Sequence, residues 1–472
     1  MAHCEALGAP RAERPELAQI LTEHAGKLPH LSNDQARVVS ALIACRTAVL
    51  GGHRQRCDHC GRENPVYNSC RNRHCPKCQS LDQALWVEAQ VQDLLPISYF
   101  HNVFTLPHCL NPFFLQDPNP AHALLFEAAA KTVIDVCRSN LGATPGLIAQ
   151  LHTWNQQLEH HPHIHCIATG GGLSLDGKSW ISSKPTYFLP VLRLSEVFRG
   201  KLLQAFELAL KEGRLRMSEV AGRLLLRRAA AQDFVVYSKP PMAGPEQVLR
   251  YLGRYTHRIA IGNGRILSHE KGEVTFSYKD RQDGGIKKTK TLPGIEFTRR
   301  FLLHVVPRGF VRVRHFGLLA NGVKVHRLAQ ARTLLGTPAP PQASPPKRES
   351  WQDTYRRLVG KDPLLCPACG VGRLVVVADI PRSPPPAENV VSFEVAVTNI
   401  SPLDPRAMVT FGPGRARGAS FEIQNPATGS FTPFPHDPLA TSGLPPDTRC
   451  PPPAVAPMQS QPPYHPPRVQ ST

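Results

Sequence analysis

The sequence predicts a mixed α+β protein with a small zinc-binding module before its main domain and a proline-rich tail after it. Three observations support this fold class. Strand-like and helix-like segments alternate irregularly between residues 96 and 335, cysteines cluster between Cys57 and Cys78, and 21 of the 47 prolines lie after residue 380. We therefore expect an N-terminal helical and zinc-binding domain over 1–95, a main domain over 96–335, a linker with a CxxC segment over 336–380, and a disordered tail over 381–472.

The N-terminal elements follow from apolar spacing and breakers. Residues 33–46 have helical periodicity and precede the Gly51-Gly52 break. Ser80 is a suitable N-cap for a helix over 81–94, which Pro96 would end.

The main domain is predicted as strands and helices in mixed order. Two antiparallel strands are expected where 147–154 is followed by a histidine-rich segment that breaks at Gly170. The other predicted elements are a strand over 99–107, a helix over 121–140 closed by Gly142, helical sequence over 192–226, a strand over 234–239, a helix over 245–255 and several short strands up to about Val313.

The charge balance favours a polyanionic partner. There are 55 Lys and Arg against 36 Asp and Glu, giving a formal net charge of +19. No segment approaches 18 consecutive apolar residues, and the N-terminus lacks a signal-peptide pattern. We expect a soluble, cytoplasmic protein without a membrane partner.

The cysteine cluster predicts structural zinc. Cys57 and Cys60 form one CxxC knuckle and Cys75 and Cys78 another, and two knuckles supply four thiolates for tetrahedral zinc. Cys70 and His74 lie between them, so the ligand subset stays open, and a second metal held with His53 or His59 is also compatible. Cys366 and Cys369 form a late CxxC that has no following partner pair except the distant Cys450, so it is predicted to be half a zinc site at best.

Basic residues decorate this cluster. Arg71, Arg73 and Lys77 suit contact with phosphate, although a charge run is more often a solvated face.

A histidine pair marks a candidate catalytic metal site. In a strand, His163 and His165 share one face while Ile164 points to the other side, into a core. Imidazoles can bind Mg²⁺, Mn²⁺ or Zn²⁺, and such a metal can polarise a phosphodiester oxygen. Two ligands hold a metal poorly, so a third is expected from His152, Gln156 or His108. A lone His-x-His pair is more often an ordinary surface or core feature.

Two tyrosines supply a candidate nucleophile. Tyr251 and Tyr255 are four residues apart and would share one helix face. A phenol becomes a useful nucleophile when a metal polarises its target. Arg254 and Arg258 flank the pair and could hold phosphate oxygens. For a lone tyrosine pair, packing on an amphipathic helix is the commoner role.

Together these motifs resemble the two-tyrosine transposases of the insertion-sequence-ninety-one type. The matching strings are the zinc-binding segment that ends at residues 69–79, Phe104 to His108, the His-hydrophobic-His (HUH) motif at 161–165, and residues 251–258. The resemblance covers residues 15–375.

The resemblance implies an HUH endonuclease core, in which an antiparallel sheet carries the histidines centrally and a tyrosine helix packs beside it. It also implies a chemistry. A tyrosine would attack single-stranded or hairpin DNA at an element end, with Mg²⁺ or Mn²⁺ as cofactor, and leave a 5′-phosphotyrosine and a 3′-OH in rolling-circle transposition. A set of further cations would then line a single-strand groove: Lys239, Lys287, Lys288, Lys290, Arg299, Arg300, Arg312 and Arg314.

Other readings remain open at this level. A plasmid or phage replication initiator, or a relaxase, would use the same chemistry. A non-catalytic zinc-dependent DNA-binding protein would keep the histidines and tyrosines as packing residues, and a metal-free tyrosine recombinase would ignore chelators.

Overall fold

A computed structural model of the chain describes residues 14–78, 80–91, 93–242, 247–248, 259–280, 283–337 and 349–384. All of them belong to the unit Met1–Ala416. Helices and antiparallel sheets make up this unit, so the predicted α+β class is confirmed. None of the described helices is both long and apolar enough to cross a membrane.

The elements are numbered in chain order over the described residues. The helices are Leu17–His24 (α1), Asn33–Ile43 (α2), Ser80–Val91 (α3), Asn111–Gln116 (α4), Pro118–Leu141 (α5), Val191–Lys211 (α6), Glu219–Ala230 (α7), Gly294–Leu302 (α8), Lys324–Leu334 (α9) and Trp351–Val359 (α10). The strands are Gly52–Cys57 (β1), Glu63–Tyr67 (β2), Tyr99–Thr105 (β3), Ala143–Thr144 (β4), Gly146–Trp154 (β5), His160–Thr169 (β6), Gly171–Ser174 (β7), Trp180–Ser182 (β8), Val236–Met242 (β9), Ile266–Glu270 (β10), Glu273–Asp280 (β11), Ile286–Pro293 (β12), Val313–Gly317 (β13) and Leu374–Ile380 (β14).

The main sheet has five strands in the order β13-β5-β6-β3-β9, and every neighbouring pair is antiparallel. The histidine strand β6 lies in the middle, as the resemblance implies. Because β5 and β3 bond its two edges, its backbone groups are paired within the sheet and the strand can be buried. Every residue of β6 except His161 is buried.

Helices cover the face of β6 that lies opposite the paired histidines. Ile164, Cys166 and Ala168 lie in one apolar core with side chains of α5 and α6. The prediction that Ile164 enters a core is therefore confirmed. Helix α5 starts earlier than predicted, with Pro118 in its first turn, where its missing N–H costs nothing. It ends at Gly142, which adopts the left-handed conformation with φ of 69°.

The helical sequence over 192–226 forms two helices, α6 and α7. Gly213 has a φ of 66° and ends the first, and the hydroxyl of Ser218 accepts a hydrogen bond from the backbone N–H of Ala221 to start the second. These local signals were present in the sequence, but the continuous basic and apolar pattern obscured them.

The predicted linker over 336–380 is in part a strand of the zinc-binding module. Strand β14 pairs with β1, and β1 pairs with β2, to give a three-stranded antiparallel sheet. Gly52 lies opposite Ile380 at one end of β1 and Cys57 lies opposite Leu374 at the other. The two CxxC segments at 57–60 and 366–369 are thus brought to the same end of this sheet.

The N-terminal helices share a core with residues far along the chain. Side chains of α1 and α2 pack with those of β10, β11 and α8, and with Ile259–Ile261. The apolar core around these helices therefore includes residues from outside 1–95. A third apolar cluster lies on the histidine-bearing face of the main sheet and includes Ile148, Ile167 and Val248.

Two predicted segments cannot be compared. The helix over 245–255 lies outside the described residues except for 247–248, and the tail does so except for 381–384.

Gly317 provides a test of the main sheet. It ends β13 with a φ of 63°, and a Cβ there would lie 1.9 Å from the carbonyl oxygen of Pro145. Gly309 has a φ of 78° but open space around it. We expect Gly309→Ala to cost about 1 kcal/mol of folding free energy through backbone strain. Gly317→Ala should cost roughly 1–3 kcal/mol more because the backbone carbonyl must move. Urea unfolding followed by tryptophan fluorescence measures both, and equal losses would contradict the described packing of β13 on β5.

Candidate functional site

Three imidazoles converge on one face of the main sheet. His163 and His165 of β6 lie beside His152 of β5, and their candidate ligand nitrogens lie within 4.8 Å of one another. The Nε2 atoms of His163 and His165 are 3.0 Å apart. All three side chains are buried. The arrangement can present three nitrogen lone pairs to one divalent ion.

The strand register explains why His152 joins the pair. In the antiparallel pairing of β5 with β6, His152 lies directly opposite His163, and opposite residues project to the same face. The other two third-ligand candidates are engaged elsewhere. Nε2 of His108 lies 3.3 Å from Nδ1 of His161, and the side-chain oxygen of Gln156 accepts a hydrogen bond from the backbone N–H of Lys279. Neither belongs to the three-histidine group.

A second set of contacts orients the histidines. Nδ1 of His163 lies 2.7 Å from the carbonyl oxygen of His161, so its N–H donates there and Nε2 becomes the lone-pair atom. Nδ1 of His165 lies 2.8 Å from Nε2 of His101, a residue of β3, and the two rings stack at 11°. Donation from Nδ1 of His165 to His101 leaves Nε2 of His165 on the side of His163. His101 could not be identified from local sequence because its partner His165 is 64 residues away.

An aromatic and a cation extend the site. Trp154 stacks on His152 with ring centroids 4.7 Å apart, and the guanidinium of Arg312 lies 5.5 Å from the centre of the Trp154 ring. Arg312 is buried, and burial together with Arg73 lowers its pKa to about 9. Its Nη2, like Nε2 of buried Gln150, lacks a hydrogen-bond partner among the described residues.

Neighbouring histidines are held neutral. Burial lowers the pKa of His160 to about 4, with His161 and His108 adding to the effect. Burial lowers the pKa of His304 to about 3, and His160 lowers it further. His160 and His304 therefore add little positive charge of their own beside the three imidazoles near neutral pH.

Eight cysteines form two four-thiolate groups. Cys45, Cys70, Cys75 and Cys78 make one group, and Cys57, Cys60, Cys366 and Cys369 make the other. In the first, Sγ–Sγ separations are 3.6–3.7 Å. In the second, they are 3.7 Å and 3.9 Å. Tetrahedral zinc with bonds of roughly 2.3 Å places its sulfurs about 3.8 Å apart, so both groups fit structural zinc.

Backbone N–H groups support the thiolates. The N–H of Cys60 donates to Sγ of Cys57, and that of Gly372 donates to Sγ of Cys369. The donors at Gly372 and Val371 lower the pKa of Cys369 to about 6. Hydrogen bonds that stabilise the charged thiolate prepare it for a metal.

The structure divides the predicted zinc ligands between two groups. The two knuckles at 57–60 and 75–78 lie in different groups, and the late CxxC at 366–369 joins the knuckle at 57–60 rather than standing as half a site. Cys70 lies with Cys45, Cys75 and Cys78, whereas His74 is in neither group. Nδ1 of His74 hydrogen-bonds the side chain of Asn72, and burial lowers its pKa to about 3, with Arg312 and Arg73 contributing. Cys45 was missed because it follows a helix as a single cysteine.

The predicted DNA-contact residues differ in their surroundings. Arg73 donates to the carbonyl oxygen of Phe310 at 2.7 Å and so ties the zinc loop to the segment before β13. Lys77 pairs with Glu16, and Arg71 is exposed. The tyrosines and their flanking cations, Tyr251, Arg254, Tyr255 and Arg258, lie outside the described residues.

Several cations of the predicted groove are already paired. Lys288 bonds Asp280 and Asp283 at 2.9 Å and 3.0 Å. Arg299 and Arg300 both bond Glu296. Arg314 lies over the Phe126 ring at 4.5 Å. The potential that these residues offer to a polyanion is therefore smaller than their number suggests.

Comparisons with known proteins show which sequences the chain resembles. A family model described as "Transposase zinc-binding domain" matches residues 17–106, and one described as "Putative transposase" matches residues 146–327. The "Putative transposase y4qJ" of Sinorhizobium fredii is 45% identical over 379 residues, which is 77% of this chain and 95% of the relative. The "Transposase for insertion sequence element IS801" of Pseudomonas savastanoi pv. phaseolicola is 26% identical over 359 residues, 74% of this chain and 85% of the relative. No solved structure matches the chain.

The division of cysteines between two zinc sites can be tested with paired substitutions. Cys60→Ala/Cys366→Ala alters one site only and should lower the zinc content by one ion per chain. Cys60→Ala/Cys75→Ala alters both sites and should lower it by two, because three thiolates hold structural zinc poorly. Plasma mass spectrometry of zinc against sulfur in the purified full chain gives the count.

A single zinc site made of the cysteines at 57, 60, 75 and 78 predicts a different zinc content for Cys60→Ala/Cys75→Ala. In that arrangement Cys60→Ala/Cys75→Ala removes one ion and Cys60→Ala/Cys366→Ala removes no more than that. A loss of one ion in the Cys60→Ala/Cys75→Ala protein would refute the two groups described above.

Proposed function

The chain belongs to the insertion-sequence-ninety-one type of transposase family, and on that premise we propose that it cuts and rejoins DNA strands with a metal-assisted tyrosine nucleophile. The observation that carries this proposal is the convergence of His152, His163 and His165 on one face of a central antiparallel pair. A strand transferase needs a site that activates a phosphodiester, and three imidazoles with open coordination positions provide one.

The donor set fits a divalent ion. Mg²⁺ prefers oxygen ligands and retains several waters, so of the two predicted ions Mn²⁺ is the better fit to three nitrogens. When bound, the ion supplies Lewis-acid polarisation of a phosphate oxygen. The protein's own contribution is to fix the three rings: β5 and β6 set their spacing, and the carbonyl of His161 together with His101 sets the tautomers of His163 and His165.

The nucleophile in this proposal is the phenol of Tyr251 or Tyr255. Its oxygen attacks phosphorus, the bond from phosphorus to the 3′ oxygen breaks, and the proton lost by the phenol is balanced by one gained at that 3′ oxygen. The products are a 5′-phosphotyrosine and a 3′-OH. Attack of a 3′-OH on the phosphotyrosine reverses the bonds and joins the strands, and a second tyrosine allows two such exchanges in turn.

The position of Val248, which precedes the two tyrosines in the sequence, supports the proposed role of Tyr251 or Tyr255. Val248 is buried in the apolar cluster that contains Ile148 and Ile167. Those two residues lie opposite each other on β5 and β6 and share the histidine-bearing face. Val248 therefore lies on the side of the sheet that carries the candidate metal site, and it precedes Tyr251 by three residues in the sequence.

We propose single-stranded or hairpin element ends as the substrate. Trp154 stacks on His152, and Arg312 lies over the Trp154 ring. An aromatic beside a guanidinium suits an unpaired base and its phosphate. Nη2 of Arg312 and Nε2 of Gln150 lack partners among the described residues, so an incoming phosphate oxygen would satisfy donors whose burial is otherwise costly.

The covalent step is tested with the full chain, Mn²⁺ and single-stranded oligonucleotides tiled across the ends of the element that encodes it. We expect a protein–DNA adduct, resistant to denaturing electrophoresis, that retains a label placed 3′ to the cut. The adduct should be lost in Tyr251→Phe/Tyr255→Phe because no phenol remains, and in His163→Ala because the metal site is incomplete. Tyr278→Phe, on β11, is the matched control and should keep it.

The other outcomes separate the alternatives. An adduct that survives both the double tyrosine change and the histidine change would refute the proposal. An adduct that forms equally in a strong chelator would indicate metal-free tyrosine chemistry. Salt-sensitive DNA binding without any adduct would indicate a non-catalytic binding protein.

His101 is tested as a positioning residue. His101→Phe keeps a ring beside His165 but removes its acceptor, so the Mn²⁺ concentration for half-maximal cleavage should rise about 10–100-fold. His101→Asn restores an acceptor and should recover part of that loss. At saturating Mn²⁺ both variants should cleave at rates near the parent. A purely structural role would instead lower the maximal rate and leave the Mn²⁺ requirement unchanged.

A further inference from the structure

A second histidine cluster lies away from the three imidazoles and the thiolates. Glu23 and His24 end α1, and His269 lies on β10. Their candidate ligand atoms fall within 4.8 Å of one another. The side chains of His24 and His269 are 3% and 10% exposed, whereas Glu23 is 49% exposed. Two buried nitrogens thus meet one carboxylate that reaches the solvent.

The distances within this cluster fit a shared metal ligand sphere. The two Nε2 atoms are 3.0 Å apart. One carboxylate oxygen of Glu23 lies 3.3 Å from Nε2 of His24, and the other lies 3.3 Å from Nε2 of His269. Ligand atoms held tetrahedrally by zinc at roughly 2.05 Å are about 3.3 Å apart.

Hydrogen bonding alone leaves this cluster unsatisfied. A neutral imidazole carries a proton on one ring nitrogen and a lone pair on the other. If Nε2 of His24 donates to His269, the buried Nδ1 of His24 is an acceptor without a partner. If His269 donates instead, that same Nδ1 is a buried donor without a partner. In either tautomer at least one Nε2 lone pair faces a carboxylate oxygen at 3.3 Å, which is repulsive.

The His24 ring is held in place by a residue with no side chain. A Cβ on Gly294, the first residue of α8, would lie 2.1 Å from Nε2 of His24. The N–H of Gly294 bonds the carbonyl oxygen of Gly272 at 2.7 Å, which fixes the backbone against the ring. Only glycine permits this close approach. The two imidazoles meet edge to face at 65° with centroids 5.2 Å apart.

We infer that Glu23, His24 and His269 form a further metal site, which takes a zinc-class divalent ion with water in the remaining position. Two imidazoles and one carboxylate are a donor set that zinc accepts readily, whereas calcium and magnesium prefer oxygen alone. The half-exposed Glu23 gives the ion a path from solvent. No thiolate takes part, so the site is chemically distinct from both cysteine groups.

The ion would link two segments that are far apart in the sequence. His24 and His269 are 245 residues apart, and α1 and β10 contribute to the same apolar core as Ile259–Ile261. Those three residues directly follow the segment that contains Tyr251 and Tyr255. Metal binding would therefore stabilise the packing of α1 and β10 with Ile259–Ile261. This expectation holds whether or not the tyrosines act as proposed above.

The experiment counts zinc in the full chain after equilibration with a defined concentration of free Zn²⁺ that leaves the thiolate sites filled. His269→Gln should hold one ion fewer per chain than the parent. Glu23→Gln should raise the Zn²⁺ concentration needed to fill that ion at least ten-fold. His326→Gln, which changes an exposed histidine of α9, should match the parent. The same comparison in a His163→Ala background should give the same one-ion difference, since the two sites are independent.

A thermal measurement keeps the site testable if His269→Gln, which changes a largely buried side chain, does not fold. Glu23 is half exposed, so Glu23→Gln should fold, and added Zn²⁺ should raise the melting temperature of the parent and of His326→Gln more than that of Glu23→Gln. If Glu23→Gln and His269→Gln bind zinc with the parent's stoichiometry and affinity, or if zinc raises all melting temperatures equally, the site does not exist.

Discussion

The candidate site depends on one register, the antiparallel pairing of β5 with β6. His152 opposes His163 and Gln150 opposes His165, while the alternate residues of both strands enter the core beneath α5 and α6. A shift of one residue would turn the histidines into the apolar core and expose Ile164 and Cys166. The burial of that apolar set therefore fixes the geometry of the imidazoles on the opposite face. Core packing on one face and the histidine cluster on the other face therefore require the same register of β5 with β6.

The thiolates impose a second constraint, on chain topology. The sulfurs of Cys60 and Cys366 approach each other although 306 residues separate them, and β14 returns beside β1 at the same place. Closing so long a loop costs entropy, and a three-stranded sheet in which most residues are exposed or half-buried offsets little of it. Zinc bound by the four thiolates would contribute folding free energy, because a metal site absent from the unfolded chain converts binding energy into folding energy. The N-terminal module is thus completed by the last described strand.

Local features could be predicted from the sequence and pairings between distant segments could not. The alternation at 163–165 correctly placed Ile164 in a core, and Gly142 correctly ended its helix. The CxxC spacing predicted zinc, but the spacing within one CxxC segment does not indicate which other CxxC segment shares its metal site. His101 and Cys45 were missed for the same reason: each acts through a partner on another element. His152 was one of three open candidates until the register separated it from His108 and Gln156.

The number of cationic residues is likewise a limited guide to where a polyanion binds. Lys288 pairs with Asp280 of the neighbouring strand, and Arg299 and Arg300 pair with Glu296 of their own helix. These three cations therefore offer a polyanion less than their number suggests. Arg312 is the opposite case, because it is buried without an ion pair among the described residues and stacks on Trp154 beside His152. Burying an uncompensated guanidinium opposes folding, and local conflicts of this kind concentrate where a ligand resolves them. A phosphate at this position would remove the conflict, so this single buried cation is a better pointer to the nucleic-acid path than the exposed charge.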